Sequence, residues 1–449
     1  MHSESAGIRI EQQPELRNMK FLHGIYVFLI ITLIVMPQYF GIHIGYDLTC
    51  SRFVDIGLTV YLMMCPFVLT HFWRASSRCS VLYPLLSYVA VGFYTMIFRT
   101  DLNAFFLIFL EVYTFFLTIY GVRYVIGYKK ALELIIGCAY FLVIYGFVEY
   151  LCGRSLFLKF LATMPTRVSN SYRSGHYRIM GPCGHSLAYG MLLLIFIAIG
   201  SYDSEKDELY LFRRPVLLAM LLANVFLTGS RSTLGIAALE CLLILLFSKG
   251  ISLQKTLVFS AFTLVLGSIA LVLFQNTGMG RYFIGQMLSI IDQFFDTEFA
   301  TQFGISTTTL QNSSRYREAL PYIFTLDWLN PLLGRGSYFG GAEVNGIYVH
   351  SIDNYYVLQY IKYAYPGLVC YVLFMIVLLC DLLHEIYRYR TGMAKMTLIA
   401  AFCYFLNLWW VDALQTLKFI YLLLAVYYAC QLERKDGLRS MKIKGNEPA

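Results

Sequence analysis

Residues 348–380, YVHSIDNYYVLQYIKYAYPGLVCYVLFMIVLLC, join a polar, tyrosine-rich cluster to a long apolar run. His350, Asp353 and Asn354 lie at its start. The segment that follows is long enough to cross a lipid bilayer, which takes about 20 apolar residues in a helix. The stretch therefore predicts a membrane-spanning helix over 354–380 with a polar cluster at its mouth.

The composition of the whole chain indicates the same class of protein. Of its 449 residues, 58% are hydrophobic and only 14% are charged, with a mean hydropathy of +0.61, whereas a soluble domain carries about 25% charged residues. Twelve apolar runs are candidates for spans. We therefore expect an all-α polytopic membrane protein in which residues 1–449 form a single integral membrane domain of about twelve transmembrane helices.

Two polar segments are much longer than the other connections, residues 152–183 and 276–352. The second has apolar residues at helical spacing in RYFIGQMLSIIDQFF (281–295) and RYREALPYIFTLDWL (315–329), followed by the turn signal NPLLGRG (330–336). A loop of this length with helices of its own is commonly functional. The sequence therefore predicts two large loops, the second with internal helical structure.

Lysine and arginine are unevenly distributed between the two sides of the predicted membrane. If the N-terminus is cytoplasmic, the inside segments hold 21 of the 35 basic residues and the longer outside segments hold 12. Cytoplasmic connections are enriched in Lys and Arg, which anionic lipid head groups attract. We therefore expect both termini inside and both large loops outside, and we attribute the net charge of +8 to membrane lipids rather than to nucleic acid.

Three arginines on the predicted outer side lie in unusual contexts: Arg178, Arg231 and Arg315. Arg231 falls in a tight turn between two apolar runs, at the membrane edge, where an arginine is costly and is usually retained for a partner. A guanidinium donates two parallel hydrogen bonds to a phosphate. The three residues together predict an anion site, and the alternative is that each only contacts lipid head groups.

His350 is a candidate general base, because histidine titrates near neutral pH and can accept a proton from a hydroxyl. If the helix already starts there, Asn354 shares its face and Asp353 lies in the first turn, so that both support the histidine. The alternative is an interfacial histidine bonded to a loop carbonyl. The outer side has no DxD pair, and we expect chemistry without a metal or a cofactor.

Four segments, in this order, resemble the bacterial O-antigen ligase and O-antigen or exopolysaccharide polymerase family. They are RIMGPCGHSLAYG (178–190), LTGSRSTLG (227–235), SSRYREALPYIFTLDWLNPLLGRGSYFG (313–340) and HSIDNYYVLQYIKYAYPGLV (350–369). The matching features are an arginine and a turn entering a span, a Ser-Arg hairpin, an arginine before a helix and Pro-Leu-Leu-Gly-x-Gly, and a histidine with an asparagine four residues on. The resemblance covers about residues 170–380.

The resemblance implies a metal-independent membrane glycosyltransferase of the C-type architecture in the bacterial cytoplasmic membrane. Its donor and acceptor would be polyprenyl-pyrophosphate-linked glycans on the outer face, and a flippase and a chain-length regulator would be partner proteins. His350 would activate the acceptor hydroxyl as general base. Arg231 and Arg315 would bind the pyrophosphate leaving group, with help from Arg178.

Two departures from the family pattern leave roles open. Arg317 fits the same place as Arg315, so the two could exchange roles. The family's first turn often has Pro-Asn where this chain has Gly184 and His185. His185 is therefore a second candidate histidine whose role the resemblance does not assign.

The choice within the family lies between a polymerase and a ligase, which transfers glycan to a lipid core. The first loop favours a polymerase, because its basic and tyrosine side chains could hold a second lipid-linked glycan. These residues are Arg154, Lys159, Arg167, Arg173, Arg178, Tyr172 and Tyr177. A lipid-glycan transporter is the rival class, and it would need charged residues deep within several spans. The candidates for those are Glu111, Glu133, Glu149, Glu240, Lys362 and Lys418.

Cysteine labelling tests the predicted orientation. A membrane-impermeant thiol reagent added to intact cells should label Ser306→Cys, in the 276–352 loop, and should not label Ser440→Cys, near the C-terminus. The unsubstituted chain supplies the background from the native cysteines. Labelling of Ser440→Cys from outside would contradict the orientation.

Overall fold

Long helices dominate the computed structural model of the chain, and the strands are few and short. The α-helices are α1 (Ile8–Ile34), α2 (Cys50–Met64), α3 (Pro66–Ser77), α4 (Leu82–Arg99), α5 (Leu102–Gly121), α6 (Tyr128–Cys152), α7 (Leu156–Leu161), α8 (Ser186–Ser201), α9 (Pro215–Leu227), α10 (Arg231–Phe247), α11 (Gly278–Phe295), α12 (Tyr355–Tyr389), α13 (Gly392–Asn407) and α14 (Leu417–Gly445). The structure describes residues 8–44, 47–164, 172–173, 176–248, 253–255, 257–258, 260–262, 265, 269, 272–273, 275–295, 297–303, 318–337, 341–344, 346–349 and 352–445.

Four helical segments of the described chain are long and apolar enough to cross a membrane. They are Leu82–Arg99, Leu102–Ile126, Tyr128–Cys152 and Tyr355–Tyr389. The last contains the span predicted from residue 354. The pair α2 and α3, bent by 114°, would make a fifth candidate if it forms one broken span. The chain is thus a helical membrane protein with four or five candidate spans.

Several other predicted spans are shorter apolar helices in the structure. They are Lys20–Ile34, Ser186–Ser201, Pro215–Leu227 and Gly392–Asn407. The 16 residues of α8 reach about 24 Å at 1.5 Å per residue, less than a hydrocarbon core of about 30 Å. The run expected over 256–275 lies largely outside the described residues. Twelve spans therefore stay a prediction.

Short antiparallel hairpins lie in the connections between helices. The described pairs are β1–β2 (Gly41–His43 with Asp47–Thr49), β3–β4 (Tyr172–Arg173 with His176–Tyr177), β5–β6 (Tyr202–Asp203 with Glu208–Leu209) and β7–β8 (Ala342–Val344 with Ile347–Val349). The last hairpin ends just before α12, so it leads the 276–352 loop back to that helix.

The connections gather at two ends of the helix bundle, as alternating spans would place them. Contacts at the first end join Gln38 N to Pro182 O (3.2 Å), Met164 N to Tyr39 O (3.0 Å), Ser337 N to Asp101 (2.6 Å) and Asn354 Nδ2 to Trp409 O (3.0 Å). Contacts at the second end join Arg78 to Asp436 (2.7 Å), Lys129 to Glu205 (3.2 Å) and Met393 N to Asp207 (2.9 Å). Every segment at the first end is one predicted to lie outside, and every segment at the second is one predicted to lie inside.

Helix α12 is broken where a proline interrupts it. Ala364 has φ 53° and ψ −161°, outside the helical region, and Pro366 follows two residues later. Proline has no N–H and cannot donate to the carbonyl four residues before it, which is that of Lys362. Inside a membrane bundle such a carbonyl needs another donor, because water is excluded.

Residues 330–337 of the large loop supply hydrogen-bond donors to two carbonyls at the break, those of Ile361 and Lys362. Arg335 N–H donates to Ile361 O at 2.8 Å, and Gly336 N–H donates to Lys362 O at 2.9 Å. The approach requires glycine at position 334, where a Cβ would lie 2.0 Å from Lys362 O. The loop is thus hydrogen-bonded to the helix at its break.

The turn between α4 and α5 holds the same loop from the other side. Arg99 Nε–H donates to Gly334 O at 2.8 Å. Asp101 accepts hydrogen bonds from Ser337, from N–H at 2.6 Å and from O–H at 2.7 Å. One charged side chain on each side of the turn therefore fixes residues 334–337 in place.

Gly334→Ala is expected to detach the loop from α12. The added methyl group would overlap Lys362 O, and overpacking of this kind costs about 1–3 kcal/mol. The purified variant should unfold at a lower temperature and should be cleaved faster by trypsin after Arg335. Gly235→Ala in α10 is the matched control, because a Cβ there meets nothing within 4 Å. Equal cleavage rates in the two variants would contradict the docking.

Candidate functional site

Residues 178–185 form an irregular segment packed against α6. Glu149, on α6 and fully buried, accepts hydrogen bonds from Met180 N–H at 2.9 Å and from Gly181 N–H at 3.0 Å. The hydroxyl of Tyr177 donates to the same carboxylate at 2.9 Å. Burial, and then the Glu149 charge, raises the pKa of Tyr177 far above its usual value, so the phenol remains a donor. One carboxylate thus accepts hydrogen bonds from two buried backbone N–H groups that this irregular segment does not pair by itself.

Arg178 connects this segment to the turn between α9 and α10. Its side chain is only 7% exposed, and its Nε–H donates to Thr228 O at 2.7 Å. Gly229, with φ +61°, follows directly, and a Cβ there would lie 3.2 Å from Arg178 Cγ and Nε. Glycine is required here both by the left-handed backbone and by the close approach of the arginine.

Arg231 lies on the other side of that glycine, as the first residue of α10. Ser230 caps the helix and accepts from Thr233 N–H at 3.3 Å. The Arg231 side chain is partly exposed, and it lies at a helix N-terminus, where backbone N–H groups and the helix dipole favour an anion. The structure thus brings together Arg178 and Arg231, two of the three arginines predicted to bind pyrophosphate.

Helix α11 of the large loop packs onto the same turn. The ring of Tyr282 lies 4.2 Å from that of His176, centroid to centroid, and 5.9 Å from that of Phe226. A Cβ at Gly229 would lie 3.0 Å from the Tyr282 hydroxyl. The two large loops therefore meet at the arginine pair.

His185 is the N-cap of α8, one residue before that helix begins. Its Nδ1 accepts from Leu187 N–H at 3.0 Å, which leaves the ring proton on Nε2. Burial, and then the charge of Arg178, lowers the pKa of His185 to about 4. The second candidate histidine is therefore neutral at neutral pH, and the contact that it makes is a helix cap.

Asn354 and Asp353 are placed differently from the expectation. Helix α12 begins at Tyr355, and Asn354 caps it by accepting from Tyr356 N–H at 3.0 Å and Val357 N–H at 3.1 Å. Because the backbone of Asn354 is extended, the helix does not reach back to His350. The condition for a helical face shared by His350 and Asn354, a helix that already starts at His350, is therefore not met, and Asp353 precedes the cap instead of lying in the first turn.

Three of the predicted site residues lie outside the described residues: His350, Arg315 and Arg317. Their roles stay predictions. The described segments on either side of His350 are β8, which ends at Val349, and the chain from Ile352 onward.

The structure also assigns contacts to residues that the sequence pattern did not place in the site. Glu149 was considered only as a charge within a span, and Asp101 and Tyr282 were not predicted at all. The docking of residues 330–337 had a signal in the sequence, because Pro366 frees the carbonyl of Lys362 and a glycine-containing turn can reach it, but this signal does not point to Asp101. Glu149 has no comparable signal, since a carboxylate in a span can meet any irregular segment at that depth.

The chain matches no protein-family model and no curated protein. Within the described part of the chain, no group of three His, Cys, Asp or Glu side chains could hold a metal ion. What the fold and site define is a helical membrane protein with two arginines at one turn, where its two large loops meet.

His185→Asn is expected to make folding stability less sensitive to acid. The folded-state pKa of about 4 lies below the value of about 6.5 for an unperturbed histidine. The stability linked to His185 is therefore present above pH 6.5 and is lost as the pH falls towards 4. Asparagine keeps a capping side chain but does not titrate.

Thermal unfolding of the purified protein at pH 7.5 and pH 5.0 measures this difference. Between these values the wild type should lose about 1–2 kcal/mol more than His185→Asn. His384→Asn, at an exposed position on α12, is the control and should follow the wild type. Equal losses in the wild type and in His185→Asn would contradict the assignment.

Proposed function

We propose that the chain is a membrane glycosyltransferase that polymerises lipid-linked oligosaccharide repeat units of O antigen, exopolysaccharide or capsule. The supporting observation is the contact of Arg178 with Thr228 and Gly229, two residues from Arg231. It joins two of the four segments that resemble the polymerase and ligase family. Two fixed cations at one helix N-terminus suit a pyrophosphate group.

The proposed reaction is a displacement at the anomeric carbon of a polyprenyl-pyrophosphate-linked glycan. His350 takes the proton from an acceptor hydroxyl, whose oxygen forms the new glycosidic bond. The bond from the anomeric carbon to the pyrophosphate oxygen breaks, and the lipid pyrophosphate leaves with the electron pair. A general base contributes typically 10²–10⁴-fold, and fixed positive charge beside the leaving group stabilises the charge that develops there.

The two described arginines support different parts of this reaction. Arg178 is buried and its Nε–H is engaged by Thr228 O, so its main effect is to position the turn and add to its positive potential. Arg231 is partly exposed at the start of α10, and it is the better candidate for direct contact with pyrophosphate. Arg315, or Arg317 in its place, completes the proposed site from the large loop.

The first loop favours a polymerase over a ligase. Tyr172 is 55% exposed and its ring lies 5.3 Å from that of Tyr177, an arrangement suited to packing against sugars. His176, in the same hairpin, packs on Tyr282 of the large loop. An acceptor glycan on the first loop would thus lie beside a donor held by the arginines.

The proposed topology has twelve spans, cytoplasmic termini and the 276–352 loop on the outer face of a bacterial cytoplasmic membrane. The contacts that separate predicted inside from predicted outside segments support it. In this position the enzyme would take substrate from a flippase and work with a chain-length regulator. The second candidate function is a lipid-glycan transporter, and charged side chains around a cavity in the bundle favour it.

A reconstituted assay tests the proposed function. Purified protein receives only lipid-pyrophosphate repeat units and no other acceptor, and the products are separated by size. The wild type should form a ladder, and His350→Ala should form none while its expression and donor binding stay nearly unchanged, because a base acts on the proton in the transition state. His384→Ala, exposed on α12, should retain the ladder.

Each other outcome points to a different function. Transfer that appears only after a lipid A-type core is added would make the enzyme a ligase. Wild-type activity in His350→Ala would remove this histidine from the mechanism and make Asp353 the next candidate. No transfer under either condition, together with movement of the lipid-linked glycan across vesicles, would support the transporter.

A further inference from the structure

A polar cavity opens inside the helix bundle, apart from the arginine pair. Its volume is about 50 Å³, and it is open on one side. It lies between α1, α2, α5 and α14. Its lining includes the charged residues Arg52, Glu111 and Lys418.

Two of these charged groups are directed at the cavity and not at the protein. Among the described residues, neither the Glu111 carboxylate nor the Lys418 ammonium makes a hydrogen bond or an ion pair, apart from the contact of Lys418 with the ring of Phe419 at 4.9 Å. Ionised groups within membrane bundles are costly, and those that are present line functional cavities or pair with one another. Glu111 and Lys418 do not pair, so a ligand or water must solvate them.

Among the residues that line the cavity, Arg52 and Lys418 contribute two positive charges and Glu111 one negative charge. Arg52 also donates to the backbone carbonyl of Asp47 and lies near the carboxyl group of Asp55. Arg52 lies in the first turn of α2 and Lys418 in the first turn of α14, so two helix N-termini add further positive potential. Thr49, the N-cap of α2, makes no side-chain capping bond.

We infer that this cavity binds a phosphate group that is carried next to a hydroxyl. Arginine and lysine at helix N-termini recognise the several oxygens of a phosphate, whereas Glu111 can only accept hydrogen bonds and would take the neighbouring hydroxyl. Either the head group of a phospholipid or a soluble polyol phosphate presents this chemistry. The inference does not depend on glycosyl transfer.

Binding measurements on the purified full-length protein in neutral detergent test the inference. The soluble probe is glycerol 3-phosphate, followed by calorimetry. The lipid probe is phosphatidylglycerol in mixed micelles, with phosphatidylcholine as reference, followed by native mass spectrometry. Binding of phosphatidylglycerol alone identifies a head group, and binding of glycerol 3-phosphate identifies a site open to soluble ligands.

Substitutions of the lining residues should change the binding affinity in opposite directions, which a purely structural role of these residues would not produce. Lys418→Gln and Arg52→Gln should each weaken binding at least tenfold, as the loss of a hydrogen bond to a charged group predicts. Glu111→Gln should strengthen binding severalfold, because the glutamine oxygen still accepts from the hydroxyl while the negative charge facing the phosphate is removed. Lys418→Arg should retain binding, and Lys130→Gln, at an exposed lysine on α6, should leave it unchanged.

Three results would overturn the inference. The first is that neither probe binds to the wild type. The second is that Lys418→Gln binds as well as Lys130→Gln. The third is that Glu111→Gln weakens binding as much as the lysine variant does. The opposite signs expected for Glu111→Gln and Lys418→Gln keep the test decisive even if Arg52→Gln fails to fold.

Discussion

The arrangement of the large loop depends on the two carbonyls that the break in α12 leaves without helical donors. Water cannot satisfy them inside a bilayer, so the protein must. Arg335 and Gly336 do so through their backbone N–H groups, which places residues 330–337 against the span. The same contact determines where the loop meets the bundle. From there β7, β8 and the cap at Asn354 complete the connection to α12.

In the segment 178–185, too, buried backbone groups find their partners within the protein. There the irregular backbone presents N–H groups instead of carbonyls, and a carboxylate accepts from them. Asp101 accepts in the same way from Ser337. At both places an acidic side chain holds a loop that contains a candidate site residue or adjoins one: Glu149 on α6, and Asp101 at the cap of α5. These two carboxylates, which look isolated in the sequence, therefore have backbone partners in the fold.

The sequence predicted the class of protein and the start of α12 to within a residue, because runs of apolar residues and polar caps are local signals. It also singled out Arg178 and Arg231, and in the structure Arg178 contacts the turn that precedes Arg231. It left open whether Asn354 is a cap or lies within the helix, and the structure shows that it is the cap. The acceptors Glu149 and Asp101 were beyond prediction, since a carboxylate takes its partner from whatever the tertiary fold brings to that depth.

Because residues 334–337 dock onto α12 at its break, the two parts of the helix can change their relative angle when the loop moves. Nine residues, from Tyr355 to Tyr363, lie between the cap and the break, and they form a short lever attached to the loop. A force that shifts the loop would turn this lever against the longer half of the helix. Occupancy of the large loop would in this way be converted into a change in the tilt of the helix.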